Sequence, residues 1–554
     1  MKNNAQTNPT SSQDTPILFG LAFQRQNSHG KIQIALRWRR ILSCLLVLFI
    51  AAWIGTAAAL YSYFKHKKDF EAVRFTNMLL LPFRIDEHRK EMGDFHIEKG
   101  LADVKNGNYR NALRLLRLGV ARSPGNLEGR RVLAEFYAIA IKRGDIATEL
   151  MLAGLEMGGI EEPTYLKQTL QVLFQYQRDD KIQEIADTYL PNEAKQTSRN
   201  CFLAFAAANA HYLRGNYDRA EAYLMAYQLI ESLEGLLLYA KIKWDRGDRD
   251  AAINQIEQSR SQFADAEVLL MQLSRYHRKM GNLDKARRLA ILRSVKAPLN
   301  AAPRIELLYI HNTIGDKTQE QRETQCILKQ FCNDESTLQA LANFAANTGN
   351  IKLARCTYEE ALVNEFKIDK FALLLIEAHL AHKDHQGALK FSEELLTENP
   401  DWLTQRWSIF NSLRAVAACS SDRSDLGDIY LQHFIDETNT PAQTYLAVAR
   451  CFNNNDCTQQ AQKILATAHQ RKPNHQKILS ELIRTNIQLG NTQPLNKQLT
   501  RFLQMRRPQM KLLVEAYQKL GSDRFIFTPN REGLLRQLRQ HTQDNAAHLP
   551  DLDS

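Results

Sequence analysis

The chain of 554 residues is 44% apolar and 24% charged, ordinary for packed globular sequence and unlike collagen-like, low-complexity or wholly disordered chains. Its formal charge of +11 is uneven: residues 1–40 carry six Lys/Arg against Asp14 alone, which leaves +6 on the other 514 residues and argues against a nucleic-acid partner. Eight cysteines with no Cys-x-x-Cys pair argue against a disulfide scaffold or zinc ribbon, leaving open only whether Cys326 and Cys356 meet across adjacent helices.

Residues 1–40 open with a polar stretch around Asn8-Pro9 and show no sustained periodicity, so a flexible basic tail is expected there. From Ile41 to Phe64 follow 24 residues without a charge, long enough as a helix to cross a hydrocarbon core of about 30 Å. Trp38, Tyr61 and Tyr63 stand at its ends, and Arg39, Arg40 and Lys65 stop it sharply, as a membrane span requires. A cleaved secretory signal is the competing reading, with small residues at Thr56 to Ala59, but the apolar run is longer than a signal core. The twenty residues on either side each hold five Lys/Arg, so charge does not orient the span. The large part is expected on the outer, extracytoplasmic side because long domains translocate largely regardless of charge. Residues 65–92 read as a juxtamembrane stalk that packs on the first following unit or on lipid, with Lys65 to Lys68 near anionic headgroups.

Beyond the stalk the chain repeats. Gly-Asn or Gly-Asp pairs begin at Gly107, Gly144, Gly215, Gly247, Gly281, Gly315, Gly349 and Gly490, and Arg178-Asp179, Lys383-Asp384 and Asp456 divide the long gaps, giving an underlying period of 34. Five residues on stands alanine in seven units (Ala112, Ala220, Ala252, Ala286, Ala354, Ala388, Ala461), and twelve further on come Pro124, Pro298, Pro400 and Pro473. A marker that accepts a left-handed backbone joins two helices. The alanine lets them lie close, and the proline ends the second. With apolar residues at helical spacing, as in Leu113, Leu116 and Val120, the unit is a helical hairpin.

On these marks the chain resembles the tetratricopeptide repeat family, in particular its membrane-anchored members, over about residues 93–510 or roughly twelve units. The resemblance implies an all-α solenoid of stacked hairpins in a right-handed superhelix, with capping helices and a loose tail over 511–554. Glu149, Gln183, Glu320 and Leu495 stand where the small alanine is expected, the marks are lost from Phe410 to Thr440, and the 73-residue gap from Lys383 to Asp456 exceeds two periods by five. An insertion or distorted unit is therefore expected near Ser420 to Gly427.

No phosphate-binding loop, dinucleotide fingerprint, zinc-protease helix or nucleophile elbow occurs, and the repeats leave no interval for a separate catalytic domain. No cofactor is expected. His379, His382 and His385 are the nearest approach to a metal cluster, but the turn at Lys383 removes His385 from the shared face and no cysteine stands near. They read as residues of a solvated turn.

The resemblance places the first helix of each hairpin on the concave groove, at 13, 10, 6, 3 and 2 positions before the marker. That register gives Phe202, Phe205, Asn209 and Tyr212; Lys241 and Trp244; Arg275, Arg278 and Lys279; Tyr309 and Asn312; and Asn343 and Asn347. Aromatic, basic and amide side chains suit an extended peptide with acidic residues or a free carboxyl end, although the same aromatics also suit helix seams. Phe205 stands where the family's carboxylate clamp has lysine, so a chaperone-tail specificity is not implied. The expected function is a non-enzymatic, single-pass membrane-tethered scaffold for proteins or peptides. The alternative is an accessory of envelope polysaccharide or lipopolysaccharide assembly whose groove contacts glycan. The chain looks like anchored bacterial repeat proteins of that kind but lacks the terminal cysteine-ligated metal module that some carry.

Overall fold

A computed structural model describes residues 15–17, 21–26, 32–68, 70, 73–263, 266–421, 423–438 and 440–546. The polar opening around Asn8 and the end of the expected loose tail, 547–554, lie outside these residues. The chain divides into two compact units, residues 1–178 and 179–554. Both are built on helices, with 29 α-helices among the described residues, and the architecture is an all-α solenoid of tetratricopeptide-like hairpins.

The first unit departs from expectation at its start. Thr15–Ile17, Ala22–Gln26 and Ile32–Leu36 form an antiparallel three-stranded meander, with Ala22 opposite Leu36 and Gln24 opposite Ile34. The reading of residues 1–40 as a flexible tail is thereby corrected over this stretch. Ile32, Ile34 and Leu36 alternate with Gln33 and Ala35, a two-residue period that suits a strand, in a run too short to stand out beside the polar opening.

The apolar helix runs Trp38–Ser62 and continues as a wide turn over Tyr63–Lys67. It is long and apolar enough to span a membrane. Ser43 and Thr56 donate to the carbonyls of Arg39 and Ala52, at 2.7 and 2.8 Å, so both hydroxyls are satisfied within the helix. The stalk folds back on it: Trp53 Nε1 donates to Leu79 O at 2.8 Å, and Phe70, Val73 and Met78 pack on Ala57, Leu60 and Phe64.

In nine hairpins the turn falls where the markers put it, with positive φ at Gly107, Gly215, Gly247, Gly281, Gly315, Gly349, Gly490, Lys383 and Asp456. Two markers are corrected. The left-handed residues of those turns are Lys142 and Gln177, not Gly144 and Arg178. Gly144 is the first residue of the helix Gly144–Gly154, and a side chain there would meet the Tyr176 ring at 2.1 Å. Its glycine serves close packing. Moving the marker back also recovers the alanine: Ala147, fully buried, stands five residues beyond Lys142 and replaces Glu149 in that role, while buried Ile182 replaces Gln183.

The expected insertion is also relocated. The hairpin Trp407–Cys419 and Ser424–Asp436 is regular, and Gly427 takes the alanine position, where a Cβ would sit 2.3 Å from Cys419 Sγ. The extra residues precede it, as the short helix Trp402–Gln405. The prolines act as expected: the second helices end at Arg122, Lys296, Glu398 and Arg471, each two residues before its proline. After the last hairpin, Met510–Leu520 and Arg531–Ala546 pack on Leu479, Ile483 and Leu499 and cover the end of the core. All eight cysteines are free.

One buried carboxyl sets a pH dependence. Burial lifts Glu377 to about 7 from an ordinary 4.5, with Arg450 pulling the other way. A raised carboxyl pKa stabilises the fold fully below the unfolded value, and this contribution is lost as pH rises through the folded value. Glu377→Gln should therefore match the wild type near pH 4 and be more stable at pH 8, by up to about 3 kcal/mol. Paired thermal scans across that range check this; curves that stay parallel would refute it.

Candidate functional site

The helix Glu267–Lys279 has two faces. Leu269, Leu270, Leu273, Tyr276 and His277 are buried, while Met271, Arg275, Arg278 and Lys279 are exposed. The split follows the 3.6-residue period, since Met271, Arg275 and Arg278 lie three or four positions apart along one side and Lys279 lies four beyond Arg275. Opposite stands Ala302–Ile314, which presents the half-buried Ile305, Glu306 and Tyr309. Between the two helices lies a concavity of about 640 Å³ lined by Arg275, Arg278, Lys279, Arg293, Glu306 and Tyr309 together with apolar neighbours.

The charges of this concavity are unbalanced. Glu306 accepts from Ser274 Oγ at 2.7 Å and from the Arg293 guanidinium, and Arg278 Nη1 lies 3.6 Å away. Arg293 is only 4% exposed and also bonds Glu267 at 3.1 Å, so a buried cation is paired as burial demands. Four cations thus face one carboxylate that is already spent. Burial, and after it the charges of Arg275, Arg249 and Arg507, hold the Lys279 ammonium below the usual lysine value against a raising pull from Asp245. An added anion would relieve that repulsion.

The aromatic residues of the register are divided. Trp244 stacks face to face on Tyr276, with centroids 3.9 Å apart and planes at 4°, and is half-buried in the seam. Arg249 and Lys279 approach the same ring at 5.6 and 5.9 Å. Phe202 is exposed, whereas Phe205 is half-buried against the core of its hairpin. Tyr309 meets Phe344 edge to face at 5.0 Å and accepts from Asn347 Nδ2 at 3.1 Å. Lys241 is exposed and Asn209 half-buried.

The amides are less open than the register suggests. Asn312 Nδ2 donates to Glu320 Oε2 at 3.2 Å and Asn343 Nδ2 to Gln339 O at 2.9 Å, so each already spends an N–H inside the repeats. Tyr212 is already covered: it is buried, donates to Asp245 Oδ2 at 2.8 Å, and lies under Arg507 of the same chain at 4.3 Å from the ring centroid. Two histidines of the 379–385 stretch are committed elsewhere. His379 pairs with the helix-capping Asp384 at 2.8 Å and His385 with Asn455 at 2.9 Å. Sequence reasoning missed Ser274, Arg293 and Glu306, because a polar trio built from three helices leaves no periodic trace.

By sequence, no protein-family profile and no curated protein matches the chain. Solved structures match by shape. The Naa15/Naa10 complex bound to HypK-THB aligns at 15% identity and a TM-score of 0.31, over 90% of this chain and 77% of that one. A tetratricopeptide repeat protein from Parabacteroides merdae aligns at 15% and 0.28, over 46% and 98%. The APC/C hetero-tetramer Cut9-Hcn1 aligns at 10% and 0.23, over 81% and 96%. These likenesses concern the repeat fold alone and say nothing about a partner.

Proposed function

We propose that this chain is a non-catalytic, membrane-tethered scaffold that holds a partner protein by an extended acidic segment. The observation that carries the reading is the convergence of Arg275, Arg278, Lys279 and Tyr309 on one open concavity with an excess of three positive charges among its lining residues. Arginine forks onto a carboxylate and an aromatic ring supplies rigid contact area, which together suit acidic side chains on a peptide. A glycan fits less well, because Trp244 and Tyr276 spend a face on each other rather than on a sugar ring.

The tether is supported by exposure. Leu42, Leu45, Leu46, Val47, Leu48 and Phe49 are each about half or more exposed along the apolar helix, a surface that water does not tolerate and hydrocarbon does. The large part of the chain is then outside the cytoplasm, as long domains cross regardless of their charge.

One experiment tests both halves. The full chain is mixed with neutral lipid vesicles and titrated with fluorescent peptides that are acidic, neutral or basic. Flotation of the chain with the vesicles supports the tether. Acidic peptides should bind at least tenfold more tightly than neutral ones and lose affinity as salt rises; equal binding of all three would overturn the assignment.

A further inference from the structure

Within the second unit, the loop Gln504–Gln509, between the helices Leu495–Leu503 and Met510–Leu520, reaches residues more than 260 positions earlier in the chain. Arg506 Nε donates to Asp179 Oδ2 at 2.7 Å, and a second nitrogen of the same guanidinium reaches Asp179 Oδ1. Asp179 is fully buried and also receives Arg214 Nε at 2.7 Å. Arg507 lies on the face of Tyr212 at 4.3 Å and bonds Asp245. Arg214 reaches back to the carbonyl of Gln504 at 3.4 Å.

The receiving residues form a site. Asp179, Tyr212, Arg214 and Asp245 each lie within three positions of the hairpin turns at Gln177, Gly215 and Gly247, so three successive repeats supply one edge. A buried carboxylate receives one guanidinium as a fork, and an aromatic face with a second carboxylate receives the other, which are two modes in which arginine outperforms lysine. The donor loop is held in a costly shape: Arg507 has φ +39°, a region that non-glycine residues rarely occupy. Its carbonyl and that of Arg506 are steadied by Gln476 Nε2, at 3.3 and 2.5 Å.

We infer that the edge formed by Asp179, Tyr212 and Asp245 is a binding site for paired arginines on an extended segment, and that its resident ligand is this chain's own Arg506-Arg507. The resident pair latches the last repeats of the second unit onto its first ones. Another arginine-paired segment can occupy the site only by displacing it. The inference is independent of the acidic-segment reading, which uses other residues and a ligand of opposite charge.

Hydrogen exchange on the full chain tests it. In Arg506→Ala/Arg507→Ala, amides of 179–189 and 211–217 should exchange at least tenfold faster than in the wild type, with the hairpins between Ile351 and Glu398 unchanged. Lys at both positions should give an intermediate result, since it keeps the charge and loses the fork. The synthetic peptide Leu-Gln-Met-Arg-Arg-Pro-Gln, at several millimolar to match a tethered concentration, should restore protection in the alanine variant. It should fail to do so once Asp245→Asn is added. If Asp245→Asn by itself also speeds exchange of 211–217, the Arg507 half stands without recourse to the double variant. Unchanged exchange in the alanine variant, or no rescue by the peptide, overturns the inference.

Discussion

Reversing two charges, Arg275→Glu with Lys279→Glu, should weaken binding of an acidic peptide about 30-fold while leaving thermal unfolding within a degree or two. Both side chains are exposed on the concave wall, so neither removal opens a cavity. An exposed ion pair contributes about 0.5 kcal/mol and reversal adds repulsion of similar size, so each position gives about 1 kcal/mol and the two give about 2 kcal/mol, or roughly 30-fold. Arg278 is left out because it faces Glu306, which holds buried Arg293, and its loss would mix folding with binding. The difference between variant and wild type should shrink at high salt as the Debye length falls. Fluorescence anisotropy with a fixed peptide measures it, and a change under threefold at low salt would move the contact surface elsewhere.

The largest loss of stability is expected from Gly119→Val. A Cβ at Gly119 would lie 2.5 Å from Ile97 Cγ1 and 2.9 Å from the backbone of Gly93 and Ile97. Gly93 faces the same limit, with Ser123 N at 2.6 Å. The helices Ile85–Lys105 and Tyr109–Arg122 therefore meet backbone to backbone, and neither can retreat without losing the bonds from Ser123 Oγ and Asn126 Nδ2 to Asp94, at 2.6 and 2.9 Å. Overpacking such a contact costs about 3 kcal/mol or more. In a solenoid the damage spreads mainly to neighbours, so hydrogen exchange should rise across 85–139 and stay unchanged in the second unit. Gly107→Ala is the contrast: open space surrounds it, and only its φ of +78° resists, at about 1 kcal/mol. Equal destabilisation by the two variants would show that helix contact is not what Gly119 provides.

The hairpin beat was legible because its signals are local. A left-handed turn, a small residue five positions on and a terminating proline act within one unit, so each leaves a residue type at a fixed offset. Two of the misreadings share a cause, which is that glycine has more than one use. Gly144 looked like a turn and is a place for the Tyr176 ring. Gly427 fell in a stretch read as distorted, yet it is the small packing residue of a regular hairpin. Strand alternation at Ile32–Leu36 is faint in the sequence, because three apolar positions are a weak pattern beside a long apolar helix. In the groove, period and marker were enough to place Arg275, Arg278 and Lys279 on the exposed side of their helix, but not to show that Tyr212 was already covered.

Sequence by itself determined the stacked helical hairpins, their spacing and the membrane-length apolar helix, because backbone sterics and apolar periodicity act over a few neighbouring residues. Tertiary structure alone decided which groove residues are open and which are filled. Arg506 finds Asp179 across 327 positions, and Ser274, Arg293 and Glu306 come from three helices to share one carboxylate. Such meetings depend on small rotations accumulated from repeat to repeat, and no local offset encodes their sum.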